Sequence, residues 1–101
     1  MPFVIKKSGY GVSLDEDLVI EIDRPLSPHL VFLEVSIKTT SPTDIIVESS
    51  EDGTNWFRAD EANNVSEFHE GYLCTREKVR ITIKAVSGAT CDYLITAGSL
   101  T

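Results

Sequence analysis

Apolar and polar residues alternate along much of this chain. In "KVRITIKAV" (78–86), Val79, Ile81, Ile83 and Ala85 interleave with Lys78, Arg80, Thr82 and Lys84, the period of two required by a strand with one solvated face. "DLVIEID" (17–23) sets Leu18, Ile20 and Ile22 against Glu21 and Asp23, and "DIIVESS" (44–50) aligns Ile45 with Val47. Residues 29–39 place Val31, Leu33, Val35 and Ile37 on one side and Glu34, Ser36 and Lys38 on the other. Leu30 and Phe32 interrupt that polar side, so Phe32 is expected under a loop or a neighbouring subunit. "CDYLITAG" (91–98) points Cys91, Tyr93, Ile95 and Ala97 one way. Shorter segments at 3–6, 10–14, 55–59 and 71–75 are rich in aromatic and β-branched residues. They bring the expected total to about eight or nine strands.

Turn chemistry punctuates these runs. "SGYG" (8–11), "RPLSP" (24–28), "TSPTD" (40–44), "EDGT" (51–54) and "SGAT" (87–90) follow one another at the spacing of a sandwich or barrel. "RADEANNVSEFHE" (58–70) has too few and too irregular apolar positions for an amphipathic helix. It reads as a long polar loop, with Asp60 placed to cap one helical turn. The expectation is an all-β, antiparallel β-sandwich, jelly-roll-like, of about eight strands and a single domain over 1–101. Residues 1–7 form a candidate N-terminal arm that could add a strand to a neighbour.

Composition narrows the partners. With 101 residues, 42% of them hydrophobic and 25% charged, the chain can build one core and is not of disordered composition. Its formal charge of −7 argues against nucleic acid and against an anionic membrane surface as partners. No apolar run approaches the roughly 20 residues of a membrane span, and the start "MPFVIKKSGYG" lacks a signal-peptide core. In that context Cys74 and Cys91 are expected to be reduced, although spacing leaves a disulfide between them open.

Candidate chemistry is sparse. "LDEDL" (14–18), "SEDGTN" (50–55) and "RADEANN" (58–64) are acidic, but none follows the twelve-residue calcium loop, and a solvated acidic surface accounts for them. His29 and His69 are too far apart in sequence for a metal-ligand motif. No nucleophile elbow or phosphate loop is present, and Cys74 beside His69 reads as a buried strand residue rather than a nucleophile. No catalytic, cofactor-binding or metal-binding residue is therefore expected.

"ESSEDGTNWFRAD" (48–60) holds the remaining interest. Asp52 and Gly53 tolerate positive φ and read as the turn of a strand connection. Trp56 and Phe57 should then fall on opposite faces of the returning strand, one plugging the core and the other facing outward. Phe3, Phe32, Trp56, Phe57 and Tyr72 form the pool of candidate interface anchors, since aromatic residues supply much of the binding energy at interfaces.

From residue 44 onward, "DIIVESSEDGTNWFRAD", a polar loop, "GYLCTREKVRITIKAVSG" and "CDYLITAG" resemble a pattern of strand, Ser-x-Asp-Gly-x-x-Trp, loop, strand, Ser-Gly and final strand. That pattern occurs in discoidin-like, galactose-binding β-sandwiches and in small β-sandwich proteins of tailed bacteriophage particles. The phage resemblance implies a virion protein, assembled in the host cytoplasm, that decorates a capsid or forms part of a fibre or tail. It would act as a homo-oligomer, for which a trimer is one candidate, contacting major capsid or other virion proteins. The discoidin resemblance implies a carbohydrate-binding module with a glycan at Trp56 and the 52–55 turn. It transfers no ligand residue.

Overall fold

A computed structural model of the protein describes residues 4–23, 31–74 and 78–99. Phe3 and the 24–28 turn expected from sequence lie outside them. Among the described residues six strands form: β1 Val4–Ser13, β2 Leu18–Asp23, β3 Val31–Ser50, β4 Phe57–Cys74, β5 Lys78–Ile83 and β6 Thr90–Ser99. Every pairing is antiparallel, in one sheet of order β1-β6-β3-β5-β2, with β4 also on β3.

The long strand β3 organises the sheet. On one edge its residues 31–39 pair with β6 and its residues 45–50 pair with β5. On the other edge β4 accompanies it through both halves. The sheet thus has two limbs, β1-β6-β3-β4 and β2-β5-β3-β4, joined along the β3–β4 pair. It curls into a half-barrel, and both limbs turn their apolar faces onto one cluster. Leu33, Val35, Ile37, Cys91, Ile95 and Ala97 enter that cluster from the first limb. Ile20, Ile22, Ile45, Val47, Val79, Ile81 and Ile83 enter from the second. The apolar alternation expected for 17–23, 31–37, 44–50, 78–83 and 91–97 is what fills this core.

The count of eight or nine strands is corrected to six, because three punctuated stretches are continuous strands. Segments 3–6 and 10–14 fall in one strand as far as they are described, apart from Leu14 just beyond its end, and "SGYG" is an irregularity between Gly9 and Val12, not a turn. There Gly11 adopts a φ of 64°, and its N–H donates to Asp92 Oδ1 at 2.8 Å. "TSPTD" lies inside β3, where the register shifts between Lys38 and Thr43 as the strand passes from β6 to β5. Pro42 is tolerated because it sits where the ladder is interrupted. Thr43 Oγ1 secures the bend by donating to the Lys84 carbonyl at 2.7 Å.

The expected polar loop at 58–70 is the third correction, since it lies within β4. Among the described residues β4 pairs only with β3, so its other edge is open and much of its surface is wet. An edge strand of this kind lacks clean alternation. It is further broken at Asn64, whose φ of 57° is supported by its N–H donating to Asp44 Oδ1 at 2.9 Å. Phe68, opposite Ile37, is the buried anchor that holds it to the core.

One end of the fold is closed by a loop residue. Leu14 is fully buried, its N–H donates to the Ala89 carbonyl at 2.9 Å, and its carbonyl accepts from the Val86 N–H at 2.8 Å. These bonds take residues 84–86 out of the strand expected to run to 86, and β5 ends at Ile83.

Candidate functional site

The 51–56 connection is built on one aspartate. Asp52 Oδ1 accepts from the Thr54 and Asn55 N–H groups, each at 2.8 Å, and from Ser50 Oγ at 3.0 Å. Oδ2 accepts from the Asn55 side-chain amide at 2.7 Å. The backbone donors Asn55 and Thr54, then the side chains of Asn55 and Ser50, hold this carboxyl far below the usual carboxylate range. Ser50 is fully buried, and its hydroxyl accepts from the Gly53 N–H at 2.9 Å. Gly53 has a φ of 77°, the left-handed conformation expected of the Asp-Gly pair.

Neither ring of the Trp56–Phe57 pair enters the core, which corrects the expectation that one would plug it. Trp56 precedes β4, so strand alternation does not direct it. It packs on the outer face, where the Arg80 guanidinium lies 4.1 Å from its ring centroid. Arg80 projects outward because Val79 and Ile81 on either side of it are buried. Its Nε and Nη2 converge on Glu48 Oε1 at 3.2 and 3.1 Å. Phe57 stands opposite Ser49 at the rim of the sheet and is 57% exposed.

Polar contacts tie the two limbs across the open side of the curl. Tyr72, on the first-limb part of β4, donates its phenol to Asp60 Oδ2 on the second-limb part at 2.6 Å. Lys7 of β1 donates to the Glu21 carbonyl of β2 at 2.6 Å. Burial, followed by the bond to Asp60 and the charges of Asp60 and Glu70, raises the Tyr72 phenol well above its ordinary value of 10.0. Its contribution to stability is thus complete below pH 10 and is lost at higher pH, where the unfolded chain ionises and the folded one does not. Tyr72→Phe is expected to cost about 1.5–3 kcal/mol at neutral pH, the scale of a hydrogen bond to a charged acceptor. It should also flatten the loss of stability above pH 10; urea titrations at neutral pH and above pH 10 check both effects.

Other acidic side chains serve the backbone. Asp15 and Asp17 accept the Gly88 and Ala85 N–H groups at 3.0 and 2.8 Å, joining the β1–β2 loop to the β5–β6 turn. The Ala85 bond lowers the Asp17 carboxyl, desolvation opposes it, and Lys84, 3.5 Å away, adds to the lowering. With Asp44, Asp52 and Asp92, five exposed aspartates cap turns and irregularities through backbone N–H groups. Among the described residues no three His, Cys, Asp or Glu side chains are grouped to hold a metal ion. Cys91 is a buried free thiol, its pKa raised by burial and by Asp92.

The outer face of the first limb carries its exposed apolar groups. Across β1, β6, β3 and β4 the register aligns Val4, Gly98, Phe32 and Leu73 in one row. The next outward row is Lys6, Thr96, Glu34 and Gly71, and the third is Ser8, Leu94, Ser36 and His69. Val4 is 62% and Leu73 68% exposed, and Leu94 and Tyr10 are also open to solvent. Phe32 is half-buried in this face, and Tyr72 points inward against the core. Phe32 and Tyr72 thus lie on opposite sides of one limb, while Trp56 and Phe57 lie on the second. Val4, Tyr10, Leu73 and Leu94 escaped sequence reasoning; the available signal was an apolar residue at a position whose strand neighbours face the core.

No family model and no curated protein matches the chain. Solved structures that share its fold include the following three. The Yersinia pseudotuberculosis-derived mitogen superposes with a TM-score of 0.54 at 15% identity, covering 96% of this chain and 86% of that one. The pre-peptidase C-terminal domain of collagenase from Bacillus anthracis gives 0.57 at 13% identity, covering 92% and 87%. A Bacillus endospore appendage protein, from a family of disulfide-linked pili, gives 0.55 at 12% identity, covering 98% and 89%. The chain is thus a small all-β protein with a widely used antiparallel fold, and identities this low establish the fold alone.

Proposed function

We propose that this chain is a non-enzymatic structural subunit that works by self-association, and that the assembly it serves is a phage particle, as capsid decoration or as part of a fibre or tail. The observation that carries self-association is the first limb, where Val4, Tyr10, Leu73 and Leu94 are exposed on one outer face between two strand edges that are open among the described residues. Open edges and exposed apolar groups are costly features in a protein that remains alone. That the same fold occurs in a protein of endospore pili supports the reading. The virion half rests on the resemblance of residues 44–98 to small phage sandwich proteins.

Sedimentation velocity from low micromolar to near-millimolar concentration tests the proposal. A concentration-dependent shift to larger species is expected, weakened by replacing Leu73 and Leu94 together with serine. A monomer throughout the range would sink it. In the carbohydrate-binding alternative a glycan must reach Trp56, one side of which already holds the Arg80 guanidinium. A glycan-array signal abolished by Trp56→Ala would replace our reading with that one.

A further inference from the structure

We infer that copies of this chain join head to tail by extending the first limb, the β1 edge of one copy pairing antiparallel with residues 67–74 of β4 in the next. This rests on the assembly reading above and names its contact. Pairing alternates in direction across β1-β6-β3-β4, so β1 and β4 run oppositely. A second copy set beside the limb therefore presents its β1 edge in the antiparallel sense, and the sheet continues without a reversal of strand direction.

The charges select this joint over its symmetric alternatives. β1 carries Lys6 and Lys7 and no acidic residue, whereas residues 67–74 carry Glu67, His69 and Glu70 and no Lys or Arg. Charged residues commonly protect single edges from pairing. Here the two edges of one limb are sorted by sign, so β1 against β1 and β4 against β4 repel while β1 against β4 attracts. In a chain of net charge −7, β1 thus has a cationic edge, with Lys6 on its outer face and Lys7 on its inner face, where the Lys7 ammonium also donates to the Glu21 carbonyl.

Side chains fit the same register. If the rows of one copy continue into the next, Val4 meets Leu73, Lys6 meets Gly71 and Lys7 meets Glu70. Val4 and Leu73 are exposed apolar residues that would cover each other. Above Gly71 the edge has an open cleft lined by Phe32, Glu34, Tyr72 and Leu73. A Cβ placed on Gly71 would meet nothing nearer than the Leu33 carbonyl at 3.9 Å. The missing side chain leaves a path for Lys6 of the neighbouring copy to reach Glu34, and neither residue has an ion pair among the described residues. The irregularity at Gly9 to Val12 ends the regular part of the β1 edge and confines the joint to residues 4–8. Because the two surfaces differ, the contact is heterologous and closes into a ring or continues as a filament.

The test is a charge exchange in the full chain, read by sedimentation velocity at low and high salt, with circular dichroism to check the fold. Lys6→Glu and Glu34→Lys are each expected to weaken self-association at least about tenfold, the scale of one lost ion-pair contact at an interface. The double variant should restore it, since every copy then offers a carboxylate at position 6 to an ammonium at position 34. Self-association that ignores the single changes, or that the double variant fails to restore, overturns this joint and leaves the assembly role standing. A wild-type chain that is monomeric at every concentration overturns both.

Discussion

Ile81→Ala is expected to lower the unfolding free energy by about 3–4 kcal/mol, as full truncation of a buried branched side chain does when its surroundings cannot collapse. Ile81 is fully buried at the centre of the second limb, flanked in register by Ile20 on β2 and Val47 on β3. Neighbours on both strands are held by ladder hydrogen bonds, so the space left by the side chain stays open. In a domain of this size the change corresponds to a fall in melting temperature of roughly 12–30 °C. Val19 on the outer face of β2 is the control, because it is half-exposed and its truncation should stay within about 0.5 kcal/mol. Urea denaturation of both variants checks the contrast. Equal losses would mean that the two faces of the sheet have been assigned wrongly.

Arg80→Ala is expected to cost about 1–3 kcal/mol, because it leaves Glu48 partly buried without its ion pair and removes the cation stacked on Trp56. Exposure of the two side chains, 29% for Arg80 and 18% for Glu48, keeps the effect below that of a deeply buried pair. Trp56 is the only tryptophan, so its fluorescence reports the same contact directly. Its emission should shift to the red as the ring loses its cover. Arg80→Lys keeps the charge but not the planar fork that meets both the carboxylate and the ring, so it should recover only part of the loss. Unchanged emission and unchanged stability in Arg80→Ala would show that the stack does not organise the 51–56 loop.

Much of the fold was legible wherever one face of a strand is buried. Ile81 and Ile83, or Ile95 and Ala97, announce their side of the sheet by alternation, because a slip of one residue would turn them out into water. The Asp52–Gly53 turn was legible for a local reason, since its conformation depends on residues within the loop. Strand continuity was hidden because the same signals serve two purposes. Gly9, Gly11 and the Ser41–Pro42 pair read as turns, yet they mark places where a strand bends and its ladder is interrupted before pairing resumes. β4 was hidden because its one open edge lets polar residues occupy positions that an enclosed strand would fill with apolar ones. Phe68 alone could have betrayed it, as an isolated aromatic in a polar run.

The sequence by itself determined an all-β antiparallel chain, the inward set of each central strand, a single core and an acidic surface, because these follow from period, turn chemistry and charge. Only the tertiary structure decided that β3 changes partner at residues 39–45 and thereby makes one curled sheet of six strands. It alone placed Trp56 over Arg80 and Tyr72 on Asp60, and set a cationic edge and an acidic edge at the two sides of one limb. Those outcomes depend on which segments pair, and pairing joins residues as far apart in the chain as Val4 and Gly98, a relation that no local pattern carries.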